Sequence, residues 1–216
     1  MSAVAHIDEY KTGRFYTDEY RGTSSWNGYE NNVLLRNEGC AEDGVPRFVD
    51  VAQAVGADDI QDSRGIAFAD FDRDGDLDVA INHNPGDADR PELGQARLLI
   101  NRVGSRRPSV ELELEGVSVN RDAVGTVVTV EAGGTRQVRR VEAGSSYASQ
   151  HSPRLHFGLG ENDRIDRLQV RWPDGSEQEF SDLEAGRLLR LRQGGELESV
   201  PFVVDGPAGT GDAAAG

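Results

Sequence analysis

The chain has 216 residues, with 38 acidic side chains against 23 basic ones and a formal net charge of −15 at pH 7. That balance argues against nucleic acid and anionic membrane surfaces as partners, since both select clustered Lys and Arg to replace counterions, and no apolar run is long enough for a membrane-spanning helix. The 26 glycines against 8 prolines suit a loop-rich β protein, and Cys40, the single cysteine, rules out an internal disulfide and a cysteine zinc site.

Residues 1–30 are polar, with scattered aromatics (Phe15, Tyr16, Tyr20, Trp26, Tyr29) and no sustained period of 2 or 3.6. This predicts a leader that packs on its neighbours. Residues 1–9 lack the basic and long apolar parts of a signal peptide, so no export signal is expected in this chain, and its localisation stays open. Strands are predicted at 32–37 and 47–52 around a glycine-bearing turn, followed by a polar link over 56–64.

Next comes Asp70-Phe71-Asp72-Arg73-Asp74-Gly75-Asp76-Leu77-Asp78, with an aspartate at every second position around one glycine. Carboxylates gathered this closely repel one another, so a fold that collects them calls for a hard cation. Ca²⁺, which takes six to eight oxygen ligands in flexible geometry, is the expected cofactor. By analogy with other aspartate loops, the side chains of Asp70, Asp72, Asp74 and Asp78 and the backbone carbonyl of Asp76 are the expected metal ligands, with Gly75 making the sharp turn. The twelfth position holds Ile81, where an EF-hand needs a bidentate glutamate. The flanks, 65–69 and 77–81, are apolar runs of strand length, which places the ion in the turn of a β-hairpin. A further strand at 96–101 repeats the character of 33–37.

The run Gly65-Ile66-Ala67-Phe68-Ala69-Asp70 through Asp78-Val79 resembles the FG-GAP (VCBS) repeat, the calcium-bearing blade unit of integrin-type β-propellers. The resemblance implies a metal loop between two blade strands. Residues 31–104 supply between one and two blades, whereas a closed propeller needs about four to eight, so this chain alone does not close a ring. The blade strands are expected to pack on the second half, or the chain to be the end of a longer protein, or several chains to assemble.

A turn-forming run at 104–108 marks a boundary. Beyond it Val110, Leu112 and Leu114 alternate with Glu111, Glu113 and Glu115, a period of two that places the glutamates in water. Further strands are predicted at 124–131, 136–142, 154–157, 165–172, 177–180 and 187–192, separated by glycine turns, which argues for an antiparallel sandwich over 105–197. The fold class is therefore all-β. The small-residue tail, 198–216, is expected to be disordered.

Within the second half, Asn120-Arg121-Asp122-Ala123-Val124-Gly125, Gly144-Ser145-Ser146-Tyr147-Ala148-Ser149-Gln150, His156-Phe157-Gly158-Leu159-Gly160 and Val170-Arg171-Trp172-Pro173-Asp174-Gly175 resemble, in order and spacing, the ASPIC/UnbV domain. That domain follows FG-GAP repeats in the cartilage acidic protein family and in bacterial proteins encoded with enediyne biosynthesis genes. The resemblance implies a calcium-binding, non-catalytic binding or scaffold protein, often extracellular, with a protein or carbohydrate ligand. The alternative is an enzyme or substrate-binding accessory of secondary metabolism. Adhesion between cells would need an export route.

The motifs have plain structural readings: Asn120 and Asp122 as caps of backbone amides, Trp172 in the core, and the glycines at turns and bulges. His151 and His156 lie near Ser149 and Ser152, but no aspartate is spaced to predict a triad, and no catalytic residue is assigned. His6, His83, His151 and His156 are not spaced as a zinc set. The row of glutamates is a solvated face rather than a glycosidase pair. Arg136, Arg139 and Arg140 form a basic strand with acidic neighbours.

Overall fold

The structure is a computed structural model and describes residues 30–84 and 94–202. The leader over 1–29 and the end of the tail, 203–216, lie outside the described residues. The chain divides into two compact units, one comprising Met1–Ile66 and Ala80–Leu99, the other Ala67–Val79 and Ile100–Gly216.

The first unit holds the hairpin of β1 (Leu35–Cys40) and β2 (Pro46–Asp50), which pair antiparallel with a bulge between Asn37 and Cys40. Both strands are exposed along their length, with Phe48 55% and Leu35 58% accessible. A single helical turn, α1 (Ala52–Val55), follows where an extension of β2 was expected. Asp50 stops that strand, because its Oδ1 accepts the N–H groups of both Leu34 and Ala52 and draws the chain into a turn. His83 is buried, its Nδ1 2.7 Å from the Gln95 carbonyl and its Nε2 3.6 Å from Asp59. β3 (Ser63–Ala69), β4 (Asp78–His83) and β5 (Arg97–Leu99) form a three-stranded sheet, and the division between the units passes through β3 and β4. The aspartate loop falls in the second unit.

The second unit is a sandwich. One sheet has the order β11 (Glu177–Glu184), β10 (Arg164–Arg171), β7 (Val127–Ala132), β8 (Thr135–Arg140). The other has the order β13 (Leu197–Pro201), β12 (Arg187–Arg192), β6 (Ser109–Glu115), β9 (Leu155–Gly158). Inward residues of both sheets make one core: Val110 and Leu112 of β6, Val128 and Val130 of β7, Phe157 of β9, Leu168 and Val170 of β10, Leu189 and Leu191 of β12. Trp172 closes it at 2% exposure, its indole N–H satisfied by Gln178 Oε1 at 3.0 Å.

Within the sandwich the pairings are antiparallel except for β6 with β12, which run parallel with Leu112 beside Leu189 and Leu114 beside Leu191. Their separation along the chain leaves room for the crossover that a parallel pair needs. The tail expected from residue 198 begins later, since Leu197–Pro201 is the edge strand β13, paired with β12. Pro201 fits there because the last residue of an edge strand has no ladder bond to donate.

Two expectations about polar residues resolve differently. Asn120 caps as expected, its amide exchanging hydrogen bonds with both the N–H and the carbonyl of Val124. Glu111, expected in water, is buried at 2% exposure, whereas Glu115 on the same strand is exposed. The alternation of β6 is intact, but its outer face is covered near Glu111 by Asp70, Arg154, Leu188 and Phe202, which share a small cavity with it.

Candidate metal centre

The loop from Asp70 to Leu77 joins β3 to β4, and Gly75 sits at its tip with φ +91°, a conformation in which only glycine is unstrained. The fold brings the side chains of Asp70, Asp72 and Asp78 together, with one carboxylate oxygen of each within 4.8 Å of the others. Asp74 is not in that group: its Oδ1 accepts the Asp76 N–H at 3.1 Å. The Asp76 side chain turns to the opposite side, where its Oδ2 accepts the Ser105 N–H at 2.9 Å and its Oδ1 is buried with no hydrogen-bond partner among the described residues. Gly104 makes room for it, since a Cβ there would stand 2.6 Å from the Asp76 Cβ.

Backbone donors hold the cluster. Asp78 is fully buried, with Oδ2 accepting from Phe71 N–H and Oδ1 from Asn101 N–H, each at 2.8 Å. Asp70 accepts from the N–H groups of Asp74 at 3.1 Å and Gly75 at 3.0 Å. Several carboxyls are nevertheless pushed above the usual range. Burial raises Asp76 to about 6, with the neighbouring charges of Asp74, Asp78 and Asp72 adding to it against the Ser105 N–H. Asp70 and Asp72 rise by desolvation first and by adjacent aspartates next.

The loop is docked on the sandwich through its tip. The Gly75 carbonyl accepts from Ser109 Oγ at 2.5 Å, and the His156 imidazole lies 3.0 Å away, its Nε2 placed to donate. Burial holds His156 below the ordinary imidazole range, which favours the neutral ring that keeps one donor for this bond. On the adjacent face Glu111 is pushed up to about 7, by burial first and by Asp70 next, while Arg154, 3.8 Å from it, pulls the other way.

Ca²⁺ bonds of 2.3–2.6 Å put ligands on opposite sides of the ion about 5 Å apart at most, so oxygens within 4.8 Å of one another suit a single hard cation. Hydrogen bonds to the loop carboxylates occupy one lone-pair direction each and leave others open. Ser109, Ser105, Glu111 and the ring of His156 are parts of this centre that sequence reasoning did not assign, because they sit far along the chain with no spacing that ties them to the loop. Only His156 carried a hint, as part of a recognised motif.

The motif residues of the second unit have scaffold roles. Asp174, in the turn after Trp172, accepts from Ser118 Oγ at 2.6 Å, Ser176 Oγ at 2.7 Å and Gln193 Nε2 at 2.8 Å, which holds its carboxyl far below the usual range. Gln193 Oε1 in turn accepts the N–H groups of Val117 and Ser118. Ser145 Oγ accepts the His151 N–H at 2.9 Å, and His151 Nδ1 faces the Phe68 N–H at 3.3 Å, so these groups serve the backbone.

No helix among the described residues is long and apolar enough to cross a membrane. A stretch of 53 residues is 45% identical to cartilage acidic protein 1 of Xenopus tropicalis, a match covering 24% of this chain and 7% of that protein. The chain therefore spans a small part of that relative's length. The segment resembling an FG-GAP repeat lies before the part of the chain that a family profile matches. Residues 116–198 match the family described as ASPIC and UnbV, and this segment, which supplies most of the sandwich strands, carries an ASPIC/UnbV domain.

Proposed function

We propose that the chain is a calcium-stapled, non-catalytic binding or scaffold module in which calcium neutralises and holds an FG-GAP-like loop joined to the ASPIC/UnbV domain. The observation that carries this reading is the convergence of Asp70 and Asp72 of the loop with Asp78 at the start of β4. Asp74 and the Asp76 carbonyl would complete the ligand set. Calcium supplies only charge neutralisation and geometry here, and the chain does the rest. Phe71 and Asn101 N–H groups orient Asp78, while Ser109 and His156 hold the tip carbonyl so that the loop cannot splay under its own repulsion.

A structural metal that binds only the folded state raises stability by mass action, by about 2.7 kcal/mol at a hundredfold excess over its dissociation constant. Calorimetric titration of chelator-stripped protein, with thermal unfolding at several Ca²⁺ concentrations, is the test. One site per chain and a midpoint that climbs with Ca²⁺ support the reading. In the double variant Asp72→Ala, Asp74→Ala the midpoint should no longer respond, and a response equal to that of the unmodified chain overturns the assignment.

A further inference from the structure

Beside the aspartate loop, the second unit has a cleft of about 410 Å³ where the edge strand β8 of one sheet faces the edge strand β9 of the other. Cavities of this size accept a small organic molecule. Phe68, Leu77, Val138, Pro153 and Leu155 give it apolar walls, and the charged lining is dominated by arginine and histidine. That is a local reversal of sign in a chain of net charge −15.

Arg139 is the distinctive group. It lies opposite Val128 in the antiparallel register, and directly opposed residues share a face, so Arg139 leaves β8 on the side of the core, where Val128 is fully buried. There its guanidinium stands 5.6 Å from the centroid of the Phe157 ring. The other two arginines of the cleft are neutralised, Arg140 by Glu142 at 2.9 Å and Arg154 by Glu113 at 2.8 Å. Arg139 has no ion-pair partner among the described residues. An exposed cation that is oriented by a ring, has no ion-pair partner among the described residues and stands beside an apolar wall has the chemistry of an anion receptor, since guanidinium takes oxyanions through two parallel N–H bonds.

We propose that this cleft binds a small organic anion, its carboxylate held by Arg139 and its apolar body lying against Phe68 and Leu155. The cleft borders the loop through Leu77 and His156, but anion binding there requires no metal and no chemical step.

The test is titration of the full chain in Ca²⁺ buffer with 2-naphthoate and, separately, with the uncharged 2-naphthylmethanol, followed by amide NMR. Naphthoate should bind at least about tenfold more tightly than the alcohol, the difference that one charge-assisted hydrogen bond makes. The perturbed amides should fall in β8 and residues 151–156. Arg139→Gln should remove that preference, and Arg139→Lys should restore part of it. Equal binding of the two probes by the unmodified chain, or no binding of either, overturns the proposal whether or not the variants fold. So does an Arg139→Gln chain that keeps full preference for naphthoate.

Discussion

Gly75 joins backbone freedom, packing and the aspartate loop in one residue. A methyl group there would meet the Phe202 ring at 2.5 Å, in addition to the strain of a side chain at φ +91°. The strain alone amounts to about 1–2 kcal/mol. Gly134 is the control, since it also has positive φ, at +79°, but nothing within 4 Å of its would-be Cβ. In denaturant titrations Gly75→Ala should therefore lose more stability than Gly134→Ala, and equal losses would refute the packing role of Phe202. Titration has its own sign at this site. A carboxyl raised in the folded state binds its proton more tightly when folded, so its stabilisation is complete below the unfolded value and is lost as pH climbs through the folded value. The window runs from 3.8 to about 6 for Asp76 and from 4.5 to about 7 for Glu111. In chelator the protein should lose stability from about pH 4 to pH 7. Glu111→Gln should flatten the upper part of that slope, and excess Ca²⁺ should flatten the part due to the loop. An unchanged slope in Glu111→Gln would show that this carboxyl is not the group responsible.

At the scale of elements, the loop and two strands of the sandwich act together. Ser109 on β6 and His156 on β9 are paired near one another in register, and both reach the same Gly75 carbonyl. Metal binding should therefore slow amide exchange in β6 and β9 as well as in residues 70–78, a pattern that exchange mass spectrometry reads directly. Protection confined to the loop would separate the two. Ser109→Ala should cost about 1 kcal/mol, the ordinary net value of one hydrogen bond, and should weaken Ca²⁺ binding without abolishing it. The strand pattern around these contacts was legible beforehand: alternation located β6, and short apolar runs between glycine turns located β7 to β12. Strand β13 was missed, because Leu197–Pro201 lacks a strong period and borders a small-residue run. Helix α1 was missed because Asp50, a turn signal, sat inside an apolar run that reads as strand.

For the whole molecule, the stability resides in the sandwich core, where Phe157, Val128, Ile165 and Val170 are fully buried. Phe157→Ala should remove about 3–5 kcal/mol, a large part of the total for a domain of this size. Chemical denaturation checks it, and a loss below about 1 kcal/mol would contradict the packing described. The hairpin β1–β2 contrasts with this, because its strands bury nothing along their length. Its amides should exchange far faster than those of β7 and β10, since few buried contacts protect them.

Local chemistry settled the strand class, the glycine turns and the aspartate loop, because period-two hydrophobicity and the spacing of carboxylates are properties of neighbouring residues. The ASPIC/UnbV motifs were readable for the same reason, each being a short run around a turn. Tertiary structure alone decided which aspartates meet, that Asp76 turns to Ser105, that Glu111 is buried, and that Arg139 stands over the Phe157 ring with no ion-pair partner among the described residues. Those outcomes depend on which distant strands become neighbours, and burial and charge pairing act through space rather than along the chain.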